Sequence, residues 1–257
     1  HLNRHGDLAT YREIKSRLFA RMESQDTAAV QDGDVETIRG LVGERPHWVS
    51  FGRSEWADYR YGDGVVRYPR ETRRTSVSVA GTMFDNEVMG ITAAAAVAVV
   101  EACGFRGDWV GQVARVFRAL PHRMNVVATI GGVKFIDDSK ATNLAAMTAA
   151  LDMCKEPVRL IAGGQLKESD LAPVGRALAR RVKGLYLIGE AAPDMLQAWG
   201  PLIPCHACGD LSKAVSRAWA DATCRIGIEL ALAWAIVIRR RRAARARRRD
   251  SGTASTT

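Results

Sequence analysis

The sequence predicts an α/β protein, and three observations carry that prediction. Short apolar runs rich in Val, Ile and Leu alternate with segments of helical period, Gly-containing loops follow the runs, and the alternation recurs from residue 126 to residue 222. Repeated strand, Gly-containing loop and helix is the pattern of an open, mostly parallel sheet. The chain has 257 residues, 47% hydrophobic and 25% charged, which gives a soluble globular composition with room for one large or two medium domains. Collagen-like, low-complexity and wholly disordered classes are excluded.

The elements follow in order. Ile14, Leu18, Phe19 and Met22 at helical spacing predict a helix over 11–22, and a short helix is expected over 35–42. Strand-like runs occupy 47–51, 65–68 and 75–79, separated by turns containing Gly and Asp. The Ala/Val-rich stretch 86–103 reads as a long helix stopped by Gly104, and Asp108 as the N-cap of a helix to Ala119. Leu120-Pro121 marks a joint, so a domain boundary is expected near residue 120. Strands at 126–130 and 133–136 then flank Gly131-Gly132, ahead of a helix over 143–153. Strand 158–162 leads through Gly163-Gly164 to a helix over 170–182. Strand 185–188, Gly189 and a helix over 191–199 repeat the pattern, and Asp210 is placed to cap a helix to 222.

Charge and cysteine usage narrow the class. Residues 239–257 hold eight Arg and one Asp, so +7 of the net +9 lies there and residues 1–238 carry only +2. A nearly neutral body argues against a basic face for nucleic acid, and no nucleic-acid partner is expected. Residues 226–238 are mostly apolar but contain Glu229, and fall short of the about 20 residues a membrane helix needs, so no membrane span is expected. Residues 223–257 are expected to form a tail that does not pack on the sheet. The abrupt loss of amphipathic patterning there is what a change of reading frame would leave. Five cysteines, an odd number without an export leader, fit a reducing cytoplasm. Cys205-His206-Ala207-Cys208 has metal-like spacing but no second pair, and reads as a loop of reduced thiols. The chain opens at His1, inside a motif, and reads as a fragment.

Three polar clusters stand at loop positions. Asp137-Asp138-Ser139-Lys140-Ala141-Thr142-Asn143 follows a strand and precedes a helix, at the sheet end where open α/β proteins bind ligands. Capping alone would need one of these residues and would not need Lys140. Leu120-Pro121-His122-Arg123 puts an Arg at the joint, suited to clamping a phosphate. Gly163-Gly164-Gln165-Leu166-Lys167 combines close backbone approach with a cationic side chain.

Together, at these spacings, the three clusters resemble the D-glutamate-adding branch of the Mur ligases, UDP-N-acetylmuramoyl-L-alanine:D-glutamate ligases. His1-Leu2-Asn3-Arg4-His5-Gly6 is similar to the end of that family's Asp-His-x-Asp-Arg-His-Gly motif, and Tyr11-Arg12-Glu13-Ile14-Lys15 to its Tyr-x-x-x-Lys helix. The resemblance spans residues 1 to about 222 and is most specific at Asp138-Ser139-Lys140-Ala141-Thr142-Asn143. It implies residues 1–119 as part of the family's central ATP-binding domain and 120–222 as its Rossmann-like, D-glutamate-binding C-terminal domain. It implies an ATP-dependent amide ligase of peptidoglycan synthesis, cytoplasmic and monomeric, with UDP-MurNAc-L-Ala and D-glutamate as substrates and Mg²⁺ as cofactor.

The implied roles transfer by position. Lys15, Arg123 and Lys140 would be catalytic, with Arg123, Asp138 and Lys140 on ATP. Thr142 and Lys167 would hold the D-glutamate carboxylates. His1 would be a Mg²⁺ ligand, and Lys15 a metal partner once carbamylated, since Mg²⁺ prefers hard oxygen ligands. The sequence also departs from the family. It contains no Gly-rich loop ending in Gly-Lys-Ser/Thr and no counterpart of the N-terminal UDP-binding domain. Met83, Phe84 and Glu87 stand where a Gly-x-His-Asn-x-x-Asn segment used for adenine has its His and Asn residues. No Leu-Ser-Pro-Ala-like segment follows Ala222. The chain alone is therefore expected to be inactive, the alternative being a non-catalytic remnant that retains a small-molecule pocket.

Overall fold

Local capping and apolar spacing set the elements, and pairing adds strands that spacing does not announce. The computed structural model describes residues 7–68, 76–166, 170–223 and 230–232. Helix α1 (Leu8–Ser16) begins where the Asp7 carboxylate accepts from the Thr10 N–H at 2.7 Å. It starts earlier and stops sooner than the spacing over 11–22 predicts. Ile14 is exposed and Leu18 is 78% exposed, so those residues form no buried stripe to prolong it.

Next come β1 (Thr27–Gln31), α2 (Val35–Val42), β2 (His47–Gly52), β3 (Tyr59–Gly62), β4 (Val65–Arg67) and β5 (Ser76–Ser78). They form one sheet in chain order, β1 to β3 parallel and β3 to β5 antiparallel. Helix α3 (Glu87–Ala102) lies across it, burying Ala93, Ala94, Val97 and Ala98 against Tyr59, Tyr61 and Val66. Gly90 permits this approach, because a Cβ there would sit 2.3 Å from the Tyr61 ring. Helix α4 (Asp108–Val116) starts from Gly107, not Asp108. Asp108 is its first helical residue and pairs with Arg106.

After residue 124 a hairpin, β6 (Asn125–Ile130) and β7 (Val133–Asp137), turns at Gly131-Gly132, both at positive φ. Then α5 (Leu144–Met153), β8 (Val158–Gly163), α6 (Ala172–Arg181), β9 (Val182–Ile188), α7 (Ala192–Trp199), β10 (Cys205–Gly209) and α8 (Leu211–Thr223) alternate. Strands β8, β9 and β10 pair in parallel in the order β10-β9-β8. One core packs Met147, Leu151, Leu178 and the fully buried Trp199 beside β8 and β9. Another lays Ala214, Ala218 and Ala222 of α8 over Tyr186 and Ile161. Each core takes its buried residues from one side only of the segment 117–124.

Two expectations are corrected here. Residues 230–232, expected to stay off the sheet, form β11 (Leu230–Leu232), which pairs in parallel with β7 through Leu230 opposite Phe135 and Leu232 opposite Asp137. An apolar tripeptide meets an available strand edge there, and hydrogen bonding settles it. The Arg run lies outside the described residues. Cys205-His206-Ala207-Cys208 is not a loop but strand β10, paired to β9. No helix among the described residues is long and apolar enough to cross a membrane.

Candidate functional site

Between the β3–α3 layer and the β8–β10 sheet the chain turns sharply. His122 and Met124, on either side of Arg123, have φ of +67° and +45°. Residues with side chains seldom occupy that region, and such strain persists where surrounding bonds over-determine it. Here they do. Arg123 N–H donates to the Leu120 carbonyl at 3.2 Å, Lys140 N–H to the His122 carbonyl at 3.0 Å, and Met124 N–H to Asp138 Oδ1 at 3.0 Å. His122 Nδ1 lies 2.7 Å from Asp137 Oδ2. The joint 120–124 and the post-strand loop 137–141 are thus stitched into one surface.

That surface walls a cavity of about 320 Å³, within the range of small-molecule sites. Arg123, Asp138 and Lys140 line it, from two loops. The opposite wall is Met83 and Met89, from the segment opening α3, and Met153 with Ala146, Ala149 and Ala150 comes from α5. The methionines and alanines are functional-site candidates that sequence reasoning missed, because single apolar residues on unrelated elements leave no motif.

The two neighbouring carboxylates are driven apart. Asp138 is only 7% exposed, and burial pushes its carboxyl above the usual range, offset only in part by the Met124 N–H and the Arg123 charge. Burial also pushes Asp137 up, but hydrogen bonds from the Ser139 N–H and from His122 outweigh it and hold that carboxyl below the usual range. A buried, polarisable carboxylate beside two cations suits a ligand that presents hydroxyl groups next to negative charge.

The remaining candidates are less gathered. Asn143 caps α5 by accepting from the Ala146 N–H at 2.7 Å, so neither Asp138 nor Thr142 is spent on capping. Thr142 is half-buried beside that cap and is not among the cavity-lining residues. Lys15 is exposed on α1 with its ammonium 5.6 Å from the Tyr11 ring centroid, and does not line the cavity either. His1 and Lys167 lie outside the described residues. The Gly163-Gly164 turn has a structural duty of its own. A Cβ on Gly163 would fall 1.8 Å from the Ile188 carbonyl oxygen, and Gly164 N–H donates to that oxygen at 3.1 Å. Among the described residues no group of three His, Cys, Asp or Glu side chains could hold a metal ion.

The chain is similar to known proteins over most of its length. Residues 122–225 match the family described as Mur ligase, glutamate ligase domain. A UDP-N-acetylmuramoylalanine--D-glutamate ligase of Desulfotalea psychrophila is 32% identical over 219 residues, covering 85% of this chain and 48% of the relative. One from Acidobacterium capsulatum is 32% identical over 228 residues, with the same coverage. The chain therefore spans about half the length of the curated relatives it matches. Among solved structures, MurF from Acinetobacter baumannii superposes over 91% of this chain and 53% of its own, with TM-score 0.67 and 19% identity. A Mycobacterium tuberculosis folylpolyglutamate synthase complexed with ADP and AMPPCP covers 89% of this chain and 57% of its own, with TM-score 0.61 and 17% identity. The fold is that of these ligases, and the Mur ligase resemblance carried by the three clusters is borne out.

Proposed function

We propose that this chain is the acceptor-binding half, with part of the nucleotide site, of an ATP-dependent ligase that joins D-glutamate to UDP-MurNAc-L-alanine in the cytoplasm. The observation that carries the proposal is the cavity in which Arg123, Asp138 and Lys140 converge from two stitched loops. Residues up to about 119 form the remainder of a central domain, and 120–222 the D-glutamate-binding domain.

In the overall reaction a substrate carboxylate oxygen attacks the terminal phosphorus of ATP, ADP leaves, and the amine of D-glutamate attacks the activated carbonyl carbon. The carbon–oxygen bond to phosphate breaks, releasing phosphate and the amine's proton. Little covalent work falls to the protein; positioning and charge neutralisation carry the rate. Arg123 offers a planar fork to two phosphate oxygens, and Lys140 a point charge beside it. Asp138, held by the Met124 N–H, accepts from sugar hydroxyls. Thr142 and Lys167 hold the D-glutamate carboxylates. Lys15, once carbamylated, and His1 would hold Mg²⁺, which would supply neutralisation of phosphate charge.

Two measurements test this. Binding of a fluorescent ATP analogue to the purified chain should weaken tenfold or more in Arg123→Ala and in Lys140→Ala; unchanged affinity in both overturns the assignment. With ATP, Mg²⁺ and both substrates, the chain alone should release no phosphate above background, because it carries no Gly-Lys-Ser/Thr loop. Substrate-dependent turnover by the isolated chain would overturn that second expectation.

A further inference from the structure

The cavity has an unusual wall for a nucleotide site. Of its fourteen lining residues, only Arg123, Asp138 and Lys140 carry side-chain hydrogen-bonding groups; the other eleven are Met, Ala, Leu or Phe. Four are methionines, Met83, Met89, Met124 and Met153, drawn from three separate segments of the chain.

The turn that opens α3 is the part that could supply polar contacts, and its groups are committed locally. Thr82 Oγ1 donates to the Val79 carbonyl at 2.6 Å and accepts from the Phe84 N–H at 3.2 Å. Asp85 Oδ2 accepts from the Gly81 N–H at 3.1 Å and pairs with Lys155 Nζ at 3.3 Å. Asn86 spends Oδ1 on the Val88 and Met89 N–H groups and Nδ2 on the Met83 carbonyl at 2.8 Å. What this turn contributes to the cavity is the Met83 side chain.

We infer that Met83, Met89, Met124 and Met153 form a thioether cradle that grips a purine by its faces and leaves its edge unread, so that the site takes ATP and GTP alike. This rests on the reading of the cavity as a nucleotide site. Sulfur–aromatic contacts are favourable and adapt to either ring system, because methionine has three rotatable bonds. Edge hydrogen bonds are what discriminate strongly: a site built around them rejects an analogue lacking the partner by about 10⁴, whereas an apolar wall discriminates far less. Adenine and guanine differ at the edge and share the face.

The chain has seven methionines, so methyl-labelled methionine NMR reads the cradle directly. ATP, GTP and inorganic tripolyphosphate are titrated separately, and single Met→Leu variants, which conserve volume, assign the resonances. The methyls of Met83, Met89, Met124 and Met153 should show ring-current shifts with both nucleotides, with half-saturation within threefold. Met22 and Met195 should stay put, and tripolyphosphate should leave the four methyls without ring-current shifts. A preference of more than threefold for either nucleotide, or shifts confined to other methyls, overturns the cradle while leaving a nucleotide site standing. Failure of both nucleotides to bind overturns the cradle and the nucleotide reading together.

Discussion

Replacing Gly163 by Ala should cost this fold far more than replacing Gly132 by Ala, although both glycines have positive φ. Gly132, at φ +80°, has nothing within 4 Å of where a Cβ would lie, so only backbone strain is charged. That is about 1 kcal/mol. Gly163 has φ +148°, in a region almost confined to glycine, and a strain of about 2 kcal/mol applies. Its Cβ would also lie 1.8 Å from the Ile188 oxygen, which belongs to backbone and cannot rotate away. Strands β8 and β9 must separate there, forfeiting the 3.1 Å bond from Gly164 N–H, another ~1 kcal/mol, and loosening the buried Leu160 and Leu187. Strain and the lost bond together come to about 3 kcal/mol. At roughly 2–4 °C per kcal/mol for a chain of this size, Gly163→Ala should melt about 10 °C lower and Gly132→Ala about 3 °C lower. Thermal unfolding by circular dichroism checks it. Melting points within 3 °C of one another would refute the claim that close approach, not ligand contact, demands glycine at 163.

Asp138→Asn should stabilise the protein at neutral pH. The folded carboxyl is raised by burial, so its charged form costs stability as pH rises through the folded pKa; the gain should vanish below about pH 4, where the acid is protonated in both states. A melting point at pH 7 no higher than that of the parent would contradict the burial argument. Tyr186→Phe should lower stability by about 1–3 kcal/mol, read by urea titration. Its hydroxyl donates to Asp221 Oδ2 at 2.8 Å and accepts from Arg159 Nη1 at 2.9 Å, and burial with the Asp221 contact pushes its pKa up to about 12. A neutral substitution would mean that water replaces both contacts.

How far the sequence could be read depended on which interactions made each element. Where period and caps are local, as at α3 with Asn86 or α5 with Asn143, helices fell within a residue or two of expectation. Strands made by pairing were harder. Thr27–Gln31 and Tyr59–Gly62 lack a long apolar alternation, and become strands because β2 lies between them. Leu230–Leu232 is the extreme case, three residues whose state is decided by the free edge of β7. At the candidate site, the loop residues Arg123, Asp138 and Lys140 were legible because charge at a strand end needs explaining. The methionines were not, since each is unremarkable on its own segment and only the tertiary fold assembles them.

The joint also separates what this chain spends on folding from what it spends elsewhere. Trp199 is fully buried, its Nε1 donates to the Leu171 carbonyl at 2.9 Å, and it packs in a core of apolar residues. At 122–138 the balance reverses: two side-chain-bearing residues sit at positive φ, and a carboxylate is buried against its preference for water. Each feature costs about 1–3 kcal/mol, offset in part at Met124 by its packing against the core. A chain selected only to fold would have Gly at 122 or 124 and Asn or Leu at 138. Beside Arg123 and Lys140, that strain and that buried carboxylate are what the ligand site proposed above would account for.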